Sequence, residues 1–92
     1  MSADYEARLT ATAIRGLSDL SPRITEPLLA FIFGSLAENP RRRGHELRNE
    51  LAGYWSARRG DYRVIYRLDD AAKVMHVVDV GPRRMIYRPR ER

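Results

Sequence analysis

The chain is predicted to be an α+β domain of two layers, with two N-terminal helices packed on one face of a small, mainly antiparallel sheet. Three observations predict this. Apolar residues recur at three- and four-residue spacing in the first 40 residues, the period of a helix face. From Gly53 onward the period changes to two, as in half-buried strands. Turn-forming pairs, Asn39-Pro40, Arg59-Gly60 and Gly81-Pro82, separate the periodic stretches. The element order is β-α-α-β-β-β, and residues 1–92 read as one domain.

Tyr5–Leu9 alternates Tyr5, Ala7 and Leu9 with Glu6 and Arg8, a first strand. Thr10 or Thr12 can cap a helix over 11–20, with Ile14, Leu17 and Leu20 on one face. Ser21-Pro22 starts a second helix, Ser as the N-cap and Pro where its missing N–H leaves no bond unmade. Ile24, Leu28, Phe31, Ile32 and Leu36 make its apolar stripe to about residue 37, and Asn39-Pro40 stops it. Arg41-Arg42-Arg43 reads as readily as a plain solvated loop or helix start as it does as a functional basic run; Leu47 and Leu51 suggest a short helical turn before Gly53. Three strands follow: Tyr54–Arg58, Tyr62–Leu68 and Val74–Val80. Arg59-Gly60 makes the first hairpin turn and Asp69-Asp70-Ala71-Ala72 the second, and Gly81-Pro82 is expected to end the last strand, because Pro cannot donate to a ladder.

Composition narrows the function classes. With 43% hydrophobic and 32% charged residues the chain is globular in type. It has no cysteine, which excludes disulfides and cysteine-metal sites and, at this size, favours the cytoplasm. No stretch approaches the ~20 apolar residues of a membrane span, and residues 1–9 lack the basic start and apolar run of a signal peptide. No membrane association is expected. Of 17 basic residues, Lys73 is the lone lysine, and the net charge is +5. The excess is uneven. Residues 1–40 hold three Arg against five acids, whereas residues 41–92 hold fourteen basic residues against seven acids. The second half therefore suits a polyanion or an acidic protein.

Strand alternation then selects particular residues. If Tyr62, Val64, Tyr66 and Leu68 face the helices, Arg63, Ile65 and Arg67 face the other way. On the preceding strand Tyr54, Ser56 and Arg58 share a face. Arg83, Arg84, Tyr87 and Arg88 follow the last strand. These groups can converge into a basic concavity suited to RNA phosphates, since the guanidinium fork matches phosphate in two-point fashion. Of the two histidines, His76 alternates with strand valines and reads as a structural, hydrogen-bonded residue; His45 lies in a loop and reads as surface. No metal or cofactor site is expected, because no third ligand clusters with them. Asp69-Asp70 reads as a turn, and Trp55 as a packing residue against a helix or a partner.

Gly60-Asp61-Tyr62-Arg63-Val64-Ile65-Tyr66 resembles the G-D-Y-R-V-x-Y segment of the RelE/ParE toxin superfamily. Ser56-Ala57-Arg58-Arg59 is similar to the S-A-R-R of actinobacterial RelE mRNA interferases. Asn39-Pro40 with Leu47-Arg48-Asn49-Glu50-Leu51 resembles their N-P…L-R-x-x-L stretch, and Arg83 to Tyr87 their R-x-x-x-Y. Together these cover almost the whole chain. The resemblance implies the toxin of a type II toxin–antitoxin system, a metal-independent endoribonuclease that cuts mRNA in the ribosomal A site by attack of the 2′-OH on the adjacent phosphate. It implies a RelB-like antitoxin with an acidic segment, held in a hetero-oligomer, and the ribosome and mRNA as further partners. Residue by residue it makes Arg63, Arg83 and Tyr87 catalytic, with Arg58, and beside it Arg67, Arg84 and Arg88, as RNA-binding positions. The chain departs from it where Tyr54 and Ser56 stand in place of lysines, one of them a candidate general base, and where Pro82 stands in place of a C-terminal His found in some relatives. Two other readings share the fold: a ParE-like inhibitor of DNA gyrase, and a module that binds the ribosome or RNA without cutting.

Overall fold

The computed structural model describes residues 4–82. Strand β1 (Glu6–Leu9) leads into helix α1 (Ala11–Ser18) and helix α2 (Pro22–Phe31). The short helix α3 (Pro40–Arg43), the two-residue strand β2 (His45–Glu46), and the strands β3 (Trp55–Arg59), β4 (Tyr62–Asp69) and β5 (Val74–Pro82) complete the order. The five strands form one sheet, β1-β5-β4-β3-β2, with β1 parallel to β5 and the remaining neighbours antiparallel. Helices on one side of this sheet give the two-layer α+β architecture that the change of period predicts.

Thr10 caps α1 as expected, its hydroxyl accepting from the Ala13 N–H at 3.2 Å. The same hydroxyl donates to the Val78 carbonyl at 3.2 Å, tying the start of α1 to β5. Helix α1 ends at Ser18, and its buried face is Ala13 and Leu17, whereas Ile14 is 50% exposed. The reason is Gly16. A Cβ there would lie 2.2 Å from the Val80 carbonyl oxygen, so the Gly16 face sits directly on β5 and turns Ile14 outward. Ser21 occupies the N-cap position of α2 without a side-chain bond; its carbonyl accepts from Ile24 and Thr25 instead. The apolar stripe of α2 runs on through a π-helical stretch, Ile32–Leu36, so Leu28, Ile32 and Leu36 are all buried.

Two of the expected boundaries are corrected. The helical turn expected near Leu47–Leu51 is a single 3-10 turn over Asn49–Leu51, preceded by the unforeseen β2. Strand β5 does not stop before Gly81-Pro82 but runs through Pro82, paired with Tyr62. Pro is tolerated there because the β1 pairing ends at Val77, leaving β5 with one neighbour.

The main core lies between the helices and the sheet: Ala13, Leu17, Leu28, Ile32, Leu36, Ala57, Val64, Tyr66, Met75, Val77 and Val80. A second, smaller cluster sits on the opposite face, where Leu47 and Tyr54 cover Ile65 and Val78. That face is therefore not open throughout, as the sequence suggests, but divided by an apolar cap. The register slips between Ile65 and Tyr66, which pair with Asp79 and Val77, so Val78 is the extra residue of a bulge. No helix among the described residues is long and apolar enough to cross a membrane.

Candidate functional site

The face away from the helices is set by β3 and β4. Trp55 and Ala57 pack into the main core, so Ser56 and Arg58 point the other way. Val64 and Tyr66 do the same on β4, which sends Arg63, Ile65 and Arg67 to that same side. The hairpin turn between the strands is two residues, Gly60 and Asp61, with Gly60 at φ 62°, a backbone state glycine adopts without strain. This tight turn fixes the register in which Arg58 faces Arg63 and Ser56 faces Ile65.

A concavity of about 410 Å³ opens on this face, lined by Arg43, Gly44, His45, Ser56, Arg58 and Arg63. Ser56 is its floor, 1% exposed, and its hydroxyl accepts from Arg63 Nη1 at 3.5 Å. Arg63 Nε is buried without a hydrogen-bond partner among the described residues. The charge of Arg63 is thus held at the wall of the basin, with the one bond to Ser56 for its side chain among the described residues. With three guanidiniums around one hollow, the arrangement suits a phosphodiester, whose oxygens can take several charge-assisted bonds at once. A second hollow of about 400 Å³, between α2 and the β3–β4 turn, is lined by Ile24, Pro27, Leu28 and Tyr62, and its two arginines, Arg23 and Arg59, are accompanied by the carboxylate of Asp61.

Of the residues singled out by sequence, Arg58 and Arg63 meet in the basin. Arg67 shares their side of the sheet but stands four residues along β4 from Arg63, roughly 13 Å away and beyond the apolar cap. Arg83, Arg84, Tyr87 and Arg88 lie outside the described residues.

Two lining residues, Arg43 and His45, escape sequence reasoning. They are brought in by Gly44, where a Cβ would lie 2.1 Å from the Tyr66 hydroxyl and 2.7 Å from the Ser56 carbonyl oxygen. Only a residue without a side chain lets this segment press so close. The Tyr66 hydroxyl, buried beneath it, donates to the Pro40 carbonyl at 2.6 Å and holds α3 in place. Burial pushes the Tyr66 phenol above its ordinary range. The glycine between Arg43 and His45 is the sequence signal for this approach.

The other electrostatic cluster is elsewhere. Arg41 makes a two-point bond to Asp70 at 2.8 and 3.1 Å, and the Tyr5 hydroxyl also bonds Asp70. Arg41 and then Tyr5 lower the Asp70 carboxyl to about 2, and Asp70 in turn raises the Tyr5 phenol. Arg41 also lies over the Trp55 ring, which stacks on Tyr66. This cluster clasps β1, α3 and the β4–β5 turn together. His76 sits in the ladder between Arg8 and Arg67, away from the basin.

Comparison with known proteins places the fold. A family model described as the ParE toxin of type II toxin-antitoxin systems, parDE, matches residues 7–87. The chain is similar to Toxin RelG of Mycobacterium tuberculosis, 48% identical over 84 residues that cover 91% of this chain and 97% of that protein. It is similar to Toxin RelE of the same organism, 44% identical over 84 residues, 91% of this chain and 87% of that one. Among solved structures it resembles a chain of the toxin-antitoxin complex RelBE2 from Mycobacterium tuberculosis. The TM-score is 0.85 at 46% identity, covering 87% of this chain and 92% of that chain.

Proposed function

From the premise that the chain belongs to the ParE toxin family of type II toxin-antitoxin systems, we propose that it is an endoribonuclease that cuts mRNA on the ribosome. It is a toxin of the RelE-like kind. The observation that carries the enzymatic reading is the basin in which Arg58 and Arg63 flank the buried Ser56.

In this reading the substrate brings its own nucleophile, the ribose 2′-OH, so the chemistry itself calls for no metal. The protein has three tasks: to take the 2′-OH proton, to offset charge developing on the phosphorane, and to let the 5′-oxygen leave. Arg63 addresses the second task. One end of its guanidinium rests on Ser56 while the side chain lines the basin, so the guanidinium charge lies where a phosphate would sit. Arg58, directly opposite, holds the phosphate from the neighbouring strand. Arg83 is assigned as a second donor to the phosphorane and Tyr87 as the group that stacks on a base or handles a proton. Arg67, Arg84 and Arg88 track the flanking phosphates. The partner in the resting cell is a RelB-like antitoxin with an acidic segment. The toxin-antitoxin complex RelBE2, built on a chain of this fold, supports that pairing.

The test is an Arg63→Ala substitution assayed for growth arrest and for cutting of mRNA on programmed ribosomes. Removing one well-aimed donor is expected to lower the cutting rate about 10²–10³-fold while the domain stays folded. Unchanged cutting by Arg63→Ala, or inhibition of gyrase supercoiling by the parent protein with mRNA left intact, overturns the reading.

A further inference from the structure

We propose that His45 is the proton acceptor of this site, the group that removes the 2′-OH proton from the RNA seated in the basin. The inference rests on the endoribonuclease reading and adds to it the member that the family resemblance leaves open, since Tyr54 and Ser56 replace lysines.

The argument begins with the wall of the basin. Arg43, Arg58 and Arg63 carry guanidiniums, which stay protonated at any working pH and cannot serve as bases. Gly44 has no side chain, and the Ser56 hydroxyl is no base and already accepts from Arg63. That leaves His45. A neutral imidazole carries a ring-nitrogen lone pair that can accept a proton.

Geometry supports the same choice. His45 pairs directly with Ser56 across β2 and β3, which sets their Cβ atoms roughly 5 Å apart. Ser56 is in turn the anchor of Arg63, so Ser56 is the common neighbour of the phosphate-binding donor and the imidazole. His45 is exposed on the β2 rim of the same basin that Arg58 and Arg63 line, within reach of a phosphodiester held there. The position is not accidental to a floppy loop. Leu47 N–H donates to the Tyr54 carbonyl at 2.8 Å, and Gly44 is wedged against Tyr66 and the Ser56 backbone, so His45 is held from both sides. The charged groups around it are Arg43 and Glu46 on its own segment, Arg58 from β3 and Arg63 from β4.

The step balances. A ring nitrogen of His45 takes the proton from the 2′-OH, the 2′-oxygen forms a bond to phosphorus, and the bond from phosphorus to the 5′-oxygen breaks. The 5′-oxygen leaves with a proton drawn from water, and the imidazolium returns its proton to water. One P–O bond forms and one breaks, with no change in oxidation state.

The experiment measures single-turnover cutting of a defined mRNA on programmed ribosomes by the full chain, from pH 5 to 9, for the parent, His45→Gln and His45→Ala. The parent is expected to show a rate that rises with pH along a single limb to a plateau. His45→Gln is expected to cut about 10²–10⁴-fold more slowly and to lose that limb, with binding of the ribosome complex unchanged. Added imidazole is expected to restore part of the rate to His45→Ala but none to Arg63→Ala. A folded His45→Gln protein that cuts at the parent rate with the same pH profile overturns the assignment, as does a slow His45→Ala protein that imidazole leaves unrescued. A parent protein that cuts no mRNA at all instead overturns the endoribonuclease reading, so the two failures are distinct.

Discussion

Arg58 on β3 and Arg63 on β4 stand directly opposite each other, two cations in one cross-strand pair on the face that the helices leave clear. Such a pair opposes folding in the free protein. Arg58→Gln is therefore expected to raise the melting temperature of the isolated domain at low salt, by on the order of 1–4 °C. The gain should shrink as salt is added, because the repulsion is screened. The same variant should bind RNA less tightly. A melting series across ionic strength, paired with an RNA-binding titration, checks both halves.

The buried bond from the Tyr66 hydroxyl to the Pro40 carbonyl makes a second expectation. Tyr66→Phe removes the donor and leaves that carbonyl unpaired, at about 1–3 kcal/mol of stability. It also carries a pH signature. An unfolded phenol ionises near ~10, whereas burial holds the folded one protonated to higher pH. Above about pH 10 the unfolded chain thus binds fewer protons than the folded one, so stability falls as pH rises through that window and is complete below it. Urea unfolding at neutral and alkaline pH should show this loss in the parent and a smaller one in Tyr66→Phe, where only the raised Tyr5 phenol remains.

The clasp on Asp70 should appear at the acid end. Its carboxyl is lowered from 3.8 to about 2 by Arg41 first and Tyr5 second. The stabilisation it provides is present above the unfolded value and lost as pH falls from 3.8 toward 2. Asp70→Asn should flatten that part of the acid unfolding curve and slightly lower stability at neutral pH. Because Asp70 and Arg41 are exposed, the neutral-pH effect should fade in high salt. Denaturant midpoints across the acid range decide it.

Gly16→Ala is expected to destabilise the domain by about 1–3 kcal/mol, although alanine is normally the better helix former. The added methyl meets a backbone carbonyl, that of Val80, which cannot rotate away as a side chain could. A midpoint equal to or above the parent's would mean that α1 is not seated on β5 as described.

What was legible in the sequence follows from period and sign. The side of the sheet taken by Arg58, Arg63 and Arg67 could be read from alternation alone, because Ala57, Val64 and Tyr66 leave no choice about which side is buried. The cap of α1 could be read from Thr10, whose hydroxyl does what its place before the helix suggests. What could not be read depends on distant contacts. Strand β2 is two residues long, too short to show any period, and it exists because Gly44 fits against Tyr66 and Ser56. His45 therefore looked like a surface loop residue, and Arg43 like part of a solvated run. The outward turn of Ile14 likewise depends on how closely Gly16 meets β5.

The parallel pairing of β1 with β5 has a consequence for how the molecule comes into being. Glu6 lies against Val74 and Leu9 against Val77, so the earliest strand waits for the latest one. As the chain emerges during synthesis, β3 and β4 can form a local hairpin early, but β1 and α1 have no seat until β5 has appeared between them and β4. A nascent chain released before that point lacks the strand that joins both halves of the sheet. The hairpin that carries Arg58 and Arg63 can thus exist before the sheet is complete, whereas the helical layer is seated only once β5 is in place.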